Sequence, residues 1–147
     1  MDEADGDTPF FCQIKIVASD LSRSLEFYRL LGAEFEVSGG HAAATLPNGT
    51  VFEIDEAPVV AGWDSGWNGT TGGSTVLGFS VGTSDAVDRL HRLLSGAGRC
   101  EHLAPHDAPW GRRLAIVDDP DGNPVAIMGP QSPEARPDPV GSGVNSG

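Results

Sequence analysis

The sequence predicts an α+β domain built from two copies of a strand–helix–strand–strand–strand (βαβββ) module. Three observations carry this. Apolar alternation of period two, then apolar spacing of helical period, then more alternation occurs twice in the same order, about 65 residues apart. Each helical stretch starts at a small polar residue and stops at a glycine. In each module the last two strand candidates flank a compact turn signal, Pro47-Asn48-Gly49 in the first and Asp119-Pro120-Asp121-Gly122-Asn123 in the second.

From Phe10 to Ala18 the chain reads as a strand with Ile14, Ile16 and Ala18 on one face and Gln13, Lys15 and Val17 on the other. Asp20 or Ser19 then caps a helix whose Leu21, Leu25, Tyr28 and Leu31 form an apolar stripe and which ends at Gly32. "AEFEV", "HAAATL" and "VFEID" are the next three strands. Residues 57–73 are rich in Gly, Ser and Thr and read as a long connection. "STVLGFSV" opens the second module, followed by a helix capped by Ser84 or Asp85 and ended near Gly96 or Gly98. A short strand "RCEHL", then "RRLAIVDD", then "PVAIMG" complete it. The modules thus occupy about 10–56 and 74–130, between an acidic leader (1–9) and a tail (131–147) whose composition predicts disorder.

The 147 residues carry a formal charge of −12, with 9 Lys and Arg against 21 Asp and Glu. Such a balance argues against nucleic acid or an anionic membrane surface as partner and suits a neutral or cationic ligand. Cys12 and Cys100 are too few and too far apart for a zinc motif or a disulfide framework, and read as free thiols of a reducing cytosol. No run approaches the roughly 20 apolar residues needed to span a bilayer, so the expected location is the cytoplasm.

Within this frame "IVASDLSRSLEFYRLLG" followed by "WGRRLAIVDDPDGN" resembles the vicinal oxygen chelate superfamily of glyoxalases, bleomycin-resistance proteins and extradiol dioxygenases, over about residues 10–130. The resemblance implies that the paired modules form a cupped mixed sheet, the glyoxalase/bleomycin-resistance fold. It also implies a homodimer, because members with one module pair often complete their cups across two chains. In the family's metalloenzymes up to four side chains on four strands hold a divalent metal in the cup. Those positions fall here on Gln13, Glu53, Val76 and Ala126. The last two cannot bind a metal, and a register error of one residue would offer Thr75 or Leu77 and Val125 or Ile127 instead. Two oxygen donors, one a neutral amide, make a poor transition-metal site. No metal, no cofactor and no catalytic residue is therefore assigned. His41, His91, His102 and His106 read as surface or rim residues.

A bowl without metal still offers a concave apolar surface to a small molecule. Trp63 and Trp67 lie in the glycine-rich connection and Trp110 precedes the last long strands. They either plug the ends of the sheet or stack on a flat aromatic ligand. Gln13, Lys15, Glu53, Asp55 and Ser80 project into the same bowl, with Arg112 or Arg113 near its rim. A Lys15–Glu53 ion pair is the plainest account of two of them. The expected ligand-binding set is Gln13, Lys15, Glu53, Trp63, Trp67, Trp110 and Arg112. Together these features suggest a metal-independent binding protein of the bleomycin-resistance type, sequestering an aromatic or cationic natural product. The alternative is an enzyme of the same superfamily, a metal-free isomerase or cyclase or a glyoxalase-like lyase with atypical ligands.

Overall fold

The computed structural model describes residues 6–73, 75–98 and 100–135. The first module runs β1 (Gln13–Ala18), α1 (Leu21–Arg29), β2 (Glu36–Ser38), β3 (His41–Thr45) and β4 (Val51–Glu56). After α2 (Ala57–Trp63) the second runs β5 (Leu77–Ser80), α3 (Ser84–Ser95), β6 (Cys100–Asp107), β7 (Arg112–Asp118) and β8 (Pro124–Pro130). Both are βαβββ, and each forms a four-stranded mixed sheet in the same order, β1-β4-β3-β2 and β5-β8-β7-β6. In each sheet the first strand pairs in parallel with the last, and the others pair antiparallel. The repeat extends to the turns. Leu46 N donates to Thr50 O at 2.8 Å and Gly49 N to Leu46 O at 2.9 Å, as Asp119 N does to Asn123 O at 2.8 Å and Gly122 N to Asp119 O at 2.9 Å. Gly49 and Gly122 stand at φ 88° and 90°, a backbone region that glycine enters without steric penalty.

Local chemistry explains most boundaries. The Asp20 side chain caps α1 by accepting from Arg23 N at 3.3 Å, and Gly32 at φ 89° turns the chain away. For α3 the cap is Thr83, one residue before the expected Ser84 or Asp85; its hydroxyl oxygen accepts from Ala86 N at 3.1 Å while its backbone is still extended. β1 starts three residues later than expected, leaving Phe10 and Phe11 exposed. β6 is longer than "RCEHL" because Pro105, which reads as a strand stop, is tolerated on an edge strand that pairs through irregular register.

The expected unbroken connection over 57–73 is corrected by α2. Pro58 sits in its first turn, where a missing N–H removes no helical bond, and Val60 is buried against the first sheet. A seven-residue helix is marginal alone, so this packing supports it. Beyond β8, Ser132 N donates to Asp107 Oδ1 at 2.8 Å and Pro133–Ala135 forms a 3₁₀ turn, so the segment expected to be a disordered tail is structured at its start. Residues 1–5 of the leader and 136–147 of the tail lie outside the described residues. No helix among those described is long and apolar enough to cross a membrane.

One core serves both modules. It joins Leu21, Leu25, Phe27 and Tyr28 of α1 and Val87, Leu90 and Leu94 of α3 to Ala42, Phe52 and Ile54 of the first sheet and Ala115, Val117, Val125 and Ile127 of the second. The junction is close: a Cβ on Gly98 would meet Phe27 Cε1 at 2.9 Å and Val117 Cγ1 at 3.0 Å. Polar bonds lock it as well, Tyr28 Oη donating to Asp119 Oδ2 at 2.6 Å and Ser19 N to Asp121 Oδ1 at 3.0 Å. Because strand side chains alternate, the residues between these core positions lie on the opposite faces of the two sheets, away from α1 and α3, with α2 alone packing beside the first. Those two open faces therefore point away from the shared core.

Candidate functional site

On the first open face, parallel pairing of β1 with β4 sets Lys15 beside Glu53 and Val17 beside Asp55. Antiparallel pairing of β3 with β4 sets His41 opposite Asp55. The side chains form one chain of contacts. Gln13 Nε2 donates to Glu53 Oε1 at 3.4 Å, and Lys15 Nζ lies 3.1 Å from that same oxygen and 3.0 Å from Asp55 Oδ2. Asp55 Oδ1 meets His41 Nδ1 at 2.5 Å. Trp63, the last residue of α2, lays its ring over Lys15 Nζ at 4.9 Å from the centroid, a cation–π arrangement.

The buried member is Asp55, its side chain 2% exposed against 25% for Lys15 and 38% for His41. Burial pushes its carboxyl upward, yet the hydrogen bonds and charges of His41 and Lys15 outweigh burial and hold it below the usual carboxylate range. The Lys15 ammonium, which burial alone would push down, is held above the usual lysine value by Asp55 and Glu53. The Lys15–Glu53 pair is thus present as expected, within a larger network.

The second open face is apolar at its centre, with Ser80 opposite Met128 and His106 opposite Leu114 on the same side. Gly78, Ala126, Met128, Leu114 and Ile116 lie on it, paired as Gly78 with Ala126, Leu114 with Met128, and Ile116 with Ala126. The two arginines separate cleanly. Arg113 turns to the helix side, where its Nε donates to Asp88 Oδ1 of α3 at 2.7 Å, while Arg112 lies on the open side with Nε donating to Gly129 O at 3.0 Å. Trp110 is exposed on the turn between β6 and β7.

Of the sequence-derived set, the fold gathers Gln13, Lys15, Glu53 and Trp63 on the first sheet and places Trp110 and Arg112 on the second. Trp67 belongs to neither cluster; its indole Nε1 donates to Thr70 O at 3.1 Å within its own loop. Of the four histidines expected at the surface or rim, one is not there. His91 is buried in α3 rather than at a rim, with Nε2 2.9 Å from Glu101 Oε2. His41 is a member of the network. A signal for it was present, since His41 and Asp55 stand at equal distances on either side of Asn48 in the hairpin.

The donor set does not fit the family's metal. Val76 and Ala126 bring no ligand atom, and Glu53 Oε1 already faces Lys15 and Gln13. Among the described residues no three His, Cys, Asp or Glu side chains are grouped to hold a metal ion.

Residues 11–127 match the Glyoxalase/Bleomycin resistance protein/Dioxygenase superfamily. A comparison with curated proteins finds no match. Among solved structures, a glyoxalase-related enzyme from Fulvimarina pelagi is 24% identical, with 80% of this chain and 86% of the other covered and a TM-score of 0.72. A glyoxalase/bleomycin resistance protein/dioxygenase family enzyme from Burkholderia phytofirmans PsJN is 20% identical over 81% and 97%, with a TM-score of 0.71. Lactoylglutathione lyase from Agrobacterium tumefaciens is 19% identical over 84% and 95%, with a TM-score of 0.57. These likenesses are of fold.

Proposed function

This chain belongs to the Glyoxalase/Bleomycin resistance protein/Dioxygenase superfamily, and from that premise we propose that it is a metal-independent small-molecule binding protein of the bleomycin-resistance type, sequestering an aromatic or cationic natural product. The observation that carries this reading is the state of the four metal positions: two are Val76 and Ala126, and the one carboxylate, Glu53, is ion-paired to Lys15. Such a face provides no Lewis acid. The first sheet does provide an indole and a set of polar groups carrying excess negative charge, and the second an apolar surface, the mixture of large apolar area and few polar anchors that small-molecule sites use.

Both open faces point away from the core that the two modules share, and on this reading a second copy sets the polar first sheet opposite the apolar second one. A homodimer with two such bowls is part of the proposal. The experiment is recovery. Titration of the protein with planar aromatic cations, followed by intrinsic tryptophan fluorescence, is expected to saturate at one ligand per chain. Mass spectrometry after prolonged incubation is expected to return the compound at its original mass and retention time. Many product molecules per chain would make the protein an enzyme and overturn sequestration.

A further inference from the structure

Asp55 engages both its oxygens inside the protein, Oδ2 on Lys15 and Oδ1 on His41, and is itself buried, so a ligand has no access to it. What it does is orient. An ionised carboxylate can only accept, so the imidazole nitrogen facing it must carry the proton. In neutral His41 that places the hydrogen on Nδ1 and leaves Nε2 as an acceptor, on a ring that is 38% exposed.

A purely structural role explains this arrangement poorly. Replacing a buried ionic cluster by apolar side chains of similar volume is often neutral or stabilising. The face also carries two carboxylates, Glu53 and Asp55, against one ammonium, Lys15. It therefore favours positive charge, while Lys15 already satisfies one site on each carboxylate. We infer that His41 is a ligand-contacting specificity residue, with Asp55 as its positioning residue, and that Nε2 accepts a hydrogen bond from an N–H donor on a planar aromatic cation. This deepens the sequestration reading and rests on it. No bond is formed or broken.

Two matched probes test it. 9-Aminoacridinium and N-methylacridinium carry the same charge on the same ring system, but only the first has N–H donors. Calorimetric titration of the full chain is expected to show the first binding about tenfold tighter, and His41→Phe is expected to bring the two affinities together. Independently, nitrogen-15 NMR of the unliganded protein should find neutral His41 as the Nδ1–H tautomer. Equal affinity for the two probes, or an Nε2–H tautomer, overturns the inference and leaves sequestration standing. Binding of neither probe removes the reading on which it rests, and the inference with it.

Discussion

Tyr28 of α1 donates a 2.6 Å hydrogen bond to Asp119 of the last turn, 91 positions away in the chain, and both side chains are buried. The same carboxylate accepts from the backbone amides of Asp121 and Asn123 and from Asn123 Nδ2, so one acid organises the turn and ties it to the other module. Burial, followed by the charge of Asp119, pushes the Tyr28 hydroxyl far above the usual tyrosine value.

Tyr28→Phe should therefore destabilise the fold by about 1–3 kcal/mol, because Asp119 keeps its charge and loses a buried donor. Urea unfolding of the two proteins checks this. The sign of the alkaline response follows from the raised value: the contribution is complete below the unfolded tyrosine pKa of 10.0 and fades as pH rises above it. The variant should lose less stability than the parent over that range.

Acid should weaken the first open face. Asp55 is held below its usual 3.8, so its contribution is present above that value and is lost as pH falls through the lower folded one. Asp107, lowered chiefly by its bonds from Ser132, acts in the same window. Urea midpoints should fall between about pH 5 and pH 2, and the fall should be shallower in Asp55→Asn. An unchanged slope in that variant would contradict the assignment of Asp55 as an ionised, bonded carboxylate.

Gly98 is expected to reject a side chain. A Cβ there would lie 2.3 Å from Asp118 O as well as against Phe27 and Val117, all at the junction of the modules. Gly98→Ala should cost roughly 1–3 kcal/mol by overpacking, read from thermal or urea unfolding.

Trp63→Ala should weaken binding of a planar aromatic cation by roughly 1–3 kcal/mol if its ring is a stacking anchor. Trp110→Ala tests the second sheet in the same way. Trp67→Ala should have the smaller effect, because its indole is already bonded to Thr70 O in its own loop. Fluorescence or calorimetric titration distinguishes the three. Equal affinities throughout would return these rings to a packing role.

The dimer is tested at the apolar face. Sedimentation velocity at micromolar concentration should show two copies, and Met128→Asp should shift the protein toward monomer, because a charge placed among Leu114, Ile116 and Ala126 would be buried without a partner at such an interface. A parent protein that sediments as a monomer would remove the two-chain bowl.

The sequence by itself determined the order of elements, the duplicated module, the two glycine turns and the lack of ligands at Val76 and Ala126. These rest on local chemistry: a helix is announced by its cap and stripe, a hairpin by Asn48-Gly49, and a missing donor by residue identity alone. Even there, α2 was hidden by the glycines around it and the length of β6 by Pro105, since both elements depend on what they pack or pair with. Tertiary structure alone decided that Arg112 and not Arg113 lies on the open face, that His91 is buried, and that Asp55 holds Lys15 from a strand 40 residues away. It also decided that the two open faces turn away from a core shared by both helices. The physical reason is register. Side chains on a strand alternate between faces, and which alternate set is buried is fixed only when two sheets and two helices compete for one core.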